Sequence, residues 1–378
     1  MKNMRDKVLF LTNYPSPYRV DFFNLLGKQV DLTVAFTEKP ADQMHRSSEW
    51  FNEDYSGFRA VFLNDRIRIG RITVCRDVFA LLKEDFNHII LGGYSNGTQM
   101  AAIEYMRLHK IPFTIEADGG LISRESRLRY WAKKHFIGSA QAFLSSGDAT
   151  TAYLLYYGAK KDSIHHYPFS SQRESDLTMA RDVSQEKKHS IRKKIGLTEE
   201  IIVISVGRFS YQRGYGKGYD TLLNVAESID RNIGIYIIGD TPTEEFISFK
   251  NEKRLDHVHF IDFKAKDELA EYYAAADIFV LLTRRDVWGL VVNEAMAYGL
   301  PVITTEACGA GLSLIENGVN GFIVPVGETD VVIEKLKQIV ASSEMRYKMA
   351  LENRRKISIY SIENMVEAHM RFFESFIN

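Results

Sequence analysis

Two carboxylates, Asp286 and Glu294, stand eight positions apart on either side of a predicted strand-to-helix turn. The apolar run 278–282 before them is short and bounded like a buried strand, and 289–298 has helical composition. A glycine and a proline then stop the helix. The turn therefore opens at the carboxyl end of a strand, where α/β sheets bind ligands.

The first turn of this predicted helix offers free N–H groups from Gly289, Leu290 and Val291. These groups can receive a phosphate at the positive end of the helix, and Glu294, one turn further, can accept hydrogen bonds from sugar hydroxyls. Asp286, on the loop, can face another part of the same ligand. We therefore predict half of a sugar-nucleotide site. For an isolated pair of acids, the alternative is a loop residue and a solvated helical glutamate.

The same stretch resembles the E-x-F-G-L-x-x-x-E-A-M-A-x-G-x-P signature of the retaining GT-B glycosyltransferases of family 4. The matching positions are Gly289, Leu290, Glu294, Ala295, Met296, Ala297, Gly299 and Pro301. Asp286 stands where the first glutamate is usual, so the carboxylate is kept on a side chain shorter by one methylene. The resemblance implies a catalytic role for Asp286 and donor binding by Glu294 and the helix N-terminus.

A second segment, 207–223, resembles the family's G-R-x…K-G-x-D-x-L-L pattern. The resemblance implies that Arg208 and Lys217 bind the donor diphosphate. A leaving diphosphate gathers negative charge, and two fixed cations stabilise it without a metal. We thus expect a metal-independent enzyme with no cofactor, whose co-substrate is a nucleotide-diphosphate sugar. Arg213, in the loop between the two cations, is the alternative to Lys217, and solvated loop charges are the alternative to both roles.

The first half of the chain carries a candidate catalytic pair, Glu116 and Asp118, after the predicted strand 112–115. In the resembled family a histidine close to the transferred sugar usually ends this strand, and Asp118 occupies its place. A carboxylate there can hydrogen-bond a donor hydroxyl or position the acceptor hydroxyl. Glu116 is the competitor for this role, and helix-cap or turn acids are the alternative for both.

Candidate acceptor-binding residues are Tyr18, Arg19 and Gly93. Tyr18 and Arg19 follow the first predicted strand in a loop stiffened by two prolines, from which they can reach a cleft. The equally favoured alternative is that Tyr18 packs on the sheet. Gly93 follows another strand and precedes a helix, so its loop can hold a polar ligand, although it is not a dinucleotide fingerprint.

The elements that must position these residues alternate between strand and helix in two consecutive series, which predicts two Rossmann-like doubly wound α/β domains. A length of 378 residues suits two domains. We predict a first domain over 1–180, a polar linker over 181–198, a nucleotide-sugar domain over 199–357 and a final helix over 358–378. By resemblance to GT-B proteins, that helix crosses back to the first domain.

Composition narrows the class of protein further. A net charge of −1 gives no general attraction to nucleic acid. Cys75 and Cys308 have no metal-ligand spacing, which favours a reduced, cytoplasmic protein, and no apolar run is long enough to cross a membrane. The segment 124–137 mixes cations with aromatic residues, as a helix lying on the inner face of a membrane does. A solvated helix face is the alternative.

The donor set Arg208, Lys217, Asp286 and Glu294 predicts a glycosyltransferase that moves a sugar from a nucleotide-diphosphate donor to a hydroxyl of a glycan. The resemblance implies that it is a retaining enzyme of the hexosyltransferase type in polysaccharide biosynthesis. The resemblance and the basic aromatic segment together favour a lipid-linked precursor as the acceptor. A GT-B sugar-nucleotide epimerase or phosphorylase is one alternative. A non-catalytic GT-B subunit that binds a glycan or a partner is the other.

Overall fold

The computed structural model describes residues 5–42, 53–70 and 72–376. The chain divides into two compact units. The first contains Met1–Ser170 together with Ile362–Asn378, and the second contains Ser171–Ser361.

The strands of the first unit are β1 (Lys7–Thr12), β2 (Asp31–Phe36), β3 (Arg59–Phe62), β4 (Arg66–Ile69), β5 (Ile72–Cys75), β6 (His88–Leu91), β7 (Thr114–Ala117), β8 (Ala142–Ser145) and β9 (Ile164–His166). Those of the second are β10 (Ile201–Val206), β11 (Ile233–Ile238), β12 (Val258–Ile261), β13 (Ile278–Leu281), β14 (Val302–Thr305) and β15 (Gly321–Val324).

The α-helices, in chain order, are α1 (Pro17–Leu26), α2 (Val78–Leu81), α3 (Gly97–His109), α4 (Arg127–Ile137), α5 (Asp148–Tyr156), α6 (Glu174–Arg181), α7 (Gln185–Ile195), α8 (Tyr219–Ala226), α9 (Glu244–Glu252), α10 (Lys266–Ala275), α11 (Leu290–Ala297), α12 (Gly309–Leu314), α13 (Thr329–Ala341), α14 (Ser343–Ile357) and α15 (Ile362–Glu374).

The described strands of the first unit form a parallel sheet in the order β3-β2-β1-β6-β7-β8-β9, and β4 and β5 form a separate antiparallel hairpin. Strand order reverses between β1 and β6. At such a switch point the loops after the two strands diverge and leave room for a ligand. Tyr18, in the first turn of α1, and Gly93, in the loop after β6, follow these two strands.

The second unit repeats the design, with a parallel sheet in the order β12-β11-β10-β13-β14-β15. Every residue of β10, β11 and β13 is buried, which is why these strands are continuous apolar runs rather than alternating ones. Here the order reverses between β10 and β13. Arg208 follows β10 and Asp286 follows β13, so the donor-side residues lie at the switch point.

The C-terminal helix α15 belongs to the first unit. Its buried side chains pack on α1 and on β6. The ring of His369 lies 4.7 Å from that of Phe22, and Phe373 stacks on His88 at 4.6 Å. The chain therefore returns to its first unit after completing the second, as the fold class predicted.

The predicted linker 181–198 and the predicted domain boundaries need correction. The division falls after Ser170, and most of the supposed linker is the helix α7 of the second unit. This helix has no fully buried side chain and docks through charge instead. Lys188 and Arg192 contact the two carboxylate oxygens of Asp277 at 2.7 and 2.6 Å. Its polar composition therefore looked like that of a linker.

Candidate functional site

One of the two predicted donor cations, Lys217, contacts the predicted catalytic carboxylate. Lys217 Nζ donates a hydrogen bond to Asp286 Oδ2 at 2.7 Å, and the two side chains are 16% and 19% exposed. The stem of Lys217 lies over Gly207, where an added Cβ would meet Lys217 Cε at 3.1 Å. Arg208, the next residue, is half-buried and has no ion-pair partner within the described chain. One paired and one unpaired cation therefore stand at the switch point.

The loop before Lys217 adopts an unusual backbone. Gln212 and Arg213 have φ angles of 50° and 55°, the left-handed region that residues other than glycine seldom occupy. Contacts to the end of β13 hold the loop in place. Thr283 Oγ1 donates to the carbonyl of Gly216 at 2.9 Å. Arg284 binds Asp220, at the start of α8, through two hydrogen bonds. Arg213 itself is exposed. The structure therefore gives the contact with Asp286 to Lys217 and not to Arg213.

Arg284 and Asp220 form a bidentate ion pair, with N–O distances of 2.7 and 2.6 Å. Paired forks of this kind fix geometry as well as charge. Arg284 also donates to the carbonyl of Tyr215, within the left-handed loop. It therefore orders the loop that delivers Lys217. Sequence analysis missed this residue, because a lone arginine after a strand carries no pattern.

Gly289 allows the sharp entry into α11. Its φ is 96°, and an added Cβ would lie 2.8 Å from the sulfur of Cys308. The loop is fixed on its other side, where Asp286 N–H donates to the carbonyl of Ala307 at 2.9 Å. Within the described chain, the N–H groups of Gly289 and of the next two residues, Leu290 and Val291, have no recorded acceptor. They form a positive helix terminus of the kind that binds phosphate.

Glu294 lies one turn into α11 and is held by two hydroxyls. Ser171 Oγ donates to Oε1 and the Tyr273 hydroxyl donates to Oε2, both at 2.9 Å. Burial raises the pKa of Glu294 above its ordinary value, against the effect of these two hydrogen bonds. Each carboxylate oxygen accepts more than one bond, so Glu294 keeps the capacity to accept from sugar hydroxyls. Ser171 and Tyr273 were not predicted, because they are remote from Glu294 in sequence.

In the first unit, Arg19 brings the two other predicted carboxylates together. Its Nη1 lies 2.5 Å from Glu116 Oε1, and its Nη2 bonds Asp118 Oδ1. Tyr167 donates to the same Asp118 oxygen at 2.8 Å. His369, on α15, lies 3.0 Å from the second oxygen of Glu116. The result is a cluster of charged groups after β7, from which only the Asp118 side chain, 33% exposed, reaches the surface.

This geometry corrects two predicted roles. Arg19 was assigned to the acceptor, but its side chain is 5% exposed and is surrounded by the rings of Phe10, Phe22 and Phe169. Glu116 was a candidate catalytic group, but its side chain has no exposed surface. Neither residue can contact a substrate in this arrangement. The two roles were wrongly predicted because the local sequence does not distinguish a buried ion pair from an exposed one.

The pKa values in the cluster diverge. Burial opposes ionisation of Glu116, but the charge of Arg19 and the contact with His369 outweigh it and lower the pKa of Glu116 to about 2. For Asp118, burial outweighs Arg19, and the adjacent Glu116 carboxylate adds to the effect, so its pKa is raised. Pairs of acids whose environments separate their pKa values are typical of sites that move protons.

The remaining acceptor-side candidates are Tyr18, which lies near Asp118 and Arg19, and Gly93, which lies near Gln99. The ring of Tyr18 packs edge-on against Phe169 at 5.8 Å, and burial raises its pKa to about 12. This contact agrees with the packing alternative, although the residue is only partly buried. Gly93 has a φ of 144° and lies against the side-chain amide of Gln99. A Cβ added at Gly93 would lie 3.1 Å from Gln99 Oε1. Asn13 accepts from Asn96 Nδ2 at 2.7 Å at the same edge.

The basic aromatic segment 124–137 forms α4 and the turn before it. Leu128 and Trp131 are 82% and 60% exposed, and Lys134 Nζ lies 5.2 Å from the Trp131 ring. Lys133 points the other way and binds Glu125 at 2.7 Å. The segment thus presents bare apolar side chains among cations, and one of its five cations is not available to a partner.

None of the helices in residues 5–42, 53–70 and 72–376 has the length and apolar composition that a membrane span requires. In the same residues, no group of three or more His, Cys, Asp or Glu side chains is arranged to hold a metal ion.

The sequence and the fold are similar to those of known glycosyltransferases. Residues 187–356 match the family described as glycosyl transferases group 1. Over the whole chain the fold is similar to HepE of Anabaena, solved with UDP, with 16% identity and a TM-score of 0.79 over 98% of this chain and 100% of that one. The same protein solved with UDP-glucose gives a TM-score of 0.73 at 15% identity, with the same coverage.

Two curated relatives align with part of the chain. An uncharacterized glycosyltransferase of Haemophilus influenzae is 28% identical over 47% of this chain and 50% of its own. The lipopolysaccharide glucosyltransferase WaaG of Escherichia coli is 24% identical over 59% of this chain and 61% of its own. The chain thus spans only about half to three fifths of the length of these relatives.

The chain has the GT-B fold, which confirms the predicted fold class. The match to the glycosyl transferases group 1 family covers most of the second unit and less than half of the chain.

Proposed function

We propose that the protein is a retaining, metal-independent glycosyltransferase that moves a hexose from a nucleotide-diphosphate donor to a hydroxyl of a glycan. The observation that carries the proposal is the donor-side geometry. At one switch point it combines Lys217 paired with Asp286, Arg208, and the N-terminus of α11 one turn from Glu294. Among the residues that the structure describes, Arg208 has no ion-pair partner and the first N–H groups of α11 have no acceptor.

Each of these groups has a role in the proposed transfer. The two cations and the helix N-terminus stabilise the charge that collects on the departing diphosphate. Glu294 accepts hydrogen bonds from the donor sugar. Asp286 neutralises Lys217 in the free protein and faces the donor when the diphosphate takes over that cation. No step in this scheme requires a metal or a cofactor.

On the acceptor side, we assign Asp118 to the reacting sugars. It is the one member of the buried charge cluster with an exposed carboxylate, and burial together with the adjacent Glu116 carboxylate raises its pKa above the ordinary value, a direction of shift that is common for general acids and bases. Tyr18 and Gly93, at the switch point of the first sheet, are proposed acceptor contacts. HepE, solved with UDP-glucose, and WaaG, named for lipopolysaccharide, support a nucleotide-sugar donor and a polysaccharide-precursor acceptor.

We further place the protein in the cytoplasm, at the inner face of the membrane that holds a lipid-linked acceptor. The two free, buried cysteines suit a reducing compartment. The exposed Leu128 and Trp131, beside cations on α4, suit an anionic bilayer surface.

The experiment is incubation of the protein with a panel of nucleotide-diphosphate sugars and lipid-linked glycan extracts, with and without EDTA. We expect release of one nucleoside diphosphate that needs the glycan and survives EDTA. NMR of the product would show the donor's anomeric configuration kept. An isomerised nucleotide sugar, a sugar phosphate formed with inorganic phosphate, or binding without turnover would instead indicate an epimerase, a phosphorylase or a non-catalytic subunit.

A matched pair of variants tests the donor assignment. Lys217→Ala removes a cation that contacts Asp286, and Arg213→Ala removes an exposed cation from the same loop. Loss of one charge-assisted hydrogen bond costs about 1.5–3 kcal/mol, or about ten- to a hundredfold in affinity. We expect that loss of nucleoside diphosphate affinity, by calorimetry, for Lys217→Ala only. The reverse pattern would move the role to Arg213.

A further inference from the structure

We propose that His369, on the C-terminal helix α15, is a positioning residue for Asp118 and acts on it through Glu116 and Arg19. The proposal rests on the proposed function, because Asp118 has its reactive role there. It gives the returning helix a task in the reaction beyond packing.

A continuous chain of contacts joins the helix to the carboxylate. His369 Nε2 lies 3.0 Å from Glu116 Oε2, and the other oxygen of Glu116 lies 2.5 Å from Arg19 Nη1. The second arm of the Arg19 guanidinium bonds Asp118. The side chains of His369 and Glu116 have no exposed surface, and that of Arg19 is 5% exposed. Solvent therefore does not screen the chain between its two ends.

His369 is held through both of its ring nitrogens. Nδ1 lies 2.8 Å from the carbonyl oxygen of Met365, and Nε2 lies 3.0 Å from Glu116 Oε2. These two contacts fix the orientation of the ring against the Glu116 carboxylate, so replacing His369 removes a buried partner of that carboxylate.

Stability alone does not explain this cluster. Buried ion networks are often no more stable than apolar packing of the same volume, and the Arg19 guanidinium already lies within 6 Å of the centres of three phenylalanine rings. An apolar side chain would suit that surrounding. The charged groups instead fix the orientation of the Asp118 side chain. The Asp118 carboxylate is held by Arg19 and by the Tyr167 hydroxyl at 2.8 Å, and it emerges just beyond the end of β7, where parallel sheets bind ligands.

The structure offers a matched control, His165 of β9, which packs against the same helix. His165 packs on Phe372 of α15, with ring centroids 4.9 Å apart, and lies outside the chain of contacts described above. Replacing His165 by glutamine removes a histidine contact with α15 but leaves the link to Asp118 in place.

The experiment compares His369→Gln, Asp118→Asn, the double variant and His165→Gln, with the donor and acceptor that wild type turns over. A misplaced reacting group costs about a hundredfold for a displacement of about 1 Å, so we expect kcat to fall about ten- to a hundredfold in His369→Gln. In the Asp118→Asn background the same change should have no further effect on kcat, because its route to the reaction is gone. His165→Gln should keep the wild-type kcat.

Two kinetic results would overturn the proposal: an unchanged kcat in His369→Gln, or an equal loss of kcat with and without Asp118. If His369→Gln does not fold, Glu116→Gln interrupts the same chain and must meet the same test. A crystal structure of either variant decides the question without turnover. Displacement of the Asp118 carboxylate from Arg19 supports the proposal, and an undisturbed carboxylate refutes it. Absence of turnover by wild type would refute the proposed function and leave this structural result standing.

Discussion

Lys217 donates a 2.7 Å hydrogen bond to Asp286, so a cation assigned to the donor diphosphate is already paired with a carboxylate assigned to the donor sugar. Both side chains keep some exposure, 16% and 19%, and the pair can open at modest cost. A diphosphate must therefore compete with Asp286 for Lys217. In exchange, the lysine is held in place before the donor arrives.

Replacing Asp286 separates its two effects. In Asp286→Asn, Lys217 loses its charged partner, and we expect free nucleoside diphosphate to bind more tightly. Loss of the carboxylate should at the same time lower kcat about a hundredfold, the scale for one preorganised electrostatic contact. Calorimetry and steady-state kinetics measure the two effects. Asp286→Glu, which restores the residue usual in the resembled family, should keep kcat within about tenfold of wild type. An active Asp286→Asn enzyme would show that the carboxylate has no role in the transfer.

Much of the fold was predictable because its central strands are buried on both faces. Such strands are rich in apolar residues, and the strand at 278–282 was predicted on that basis. The helix α7 was not, because its contacts are ionic and its surface is polar. The hairpin β4–β5 was missed for a similar reason, since β4 is half arginine and carries no apolar run.

The candidate site was predictable where one strand and the turn after it supply its groups. Asp286, the α11 N-terminus and Glu294 lie within nine consecutive residues. The partners that orient them do not. Tyr273 is 21 positions from Glu294, and His369 is 253 positions from Glu116. These pairings exist only because the sheet and the returning helix bring distant segments together.

Glu294 should limit stability in a way that depends on pH. Its pKa is raised by burial, so the folded protein binds its proton more tightly than the unfolded chain, whose glutamates titrate near about 4.3. The free energy of unfolding therefore falls as pH rises from that value through the raised folded pKa. Glu294→Gln removes this loss. As the pH is raised from about 4 to about 7, the melting temperature of the variant should therefore rise relative to that of wild type.

The same variant should bind the donor poorly. A neutral amide is a weaker acceptor than a carboxylate, and we expect about tenfold lower affinity for the nucleotide sugar. Glu252→Gln, at an exposed position on α9, serves as the control and should change neither quantity. Donor affinity equal to wild type in Glu294→Gln would remove Glu294 from the site.

Gly289 is predicted to be irreplaceable for two separable reasons. Alanine there must adopt a φ of 96° and place its Cβ 2.8 Å from the sulfur of Cys308. The left-handed backbone lowers the free energy of unfolding by about 1–2 kcal/mol. The steric overlap with the sulfur lowers it by about 1–3 kcal/mol more. Gly327→Ala, with a φ of 84° and open space around it, incurs only the first. Urea unfolding should show the larger loss for Gly289→Ala, and Cys308→Ala should reduce that loss to the Gly327 value. Equal losses at the two glycines would exclude a steric role for the sulfur.

The exposed face of α4 should bind anionic membranes. Leu128 and Trp131 are 82% and 60% exposed among cations, and burying such side chains in a bilayer contributes about 1.5–3 kcal/mol each. We expect the protein to sediment with vesicles that contain phosphatidylglycerol, less so at high salt because the cations share in binding. The variant with serine at both positions should lose more than about tenfold in affinity. Leu108→Ser removes an equally exposed side chain, 79%, from α3 and should bind as wild type does. Sedimentation of the double variant with these vesicles to the wild-type extent would show that α4 is an ordinary solvated helix.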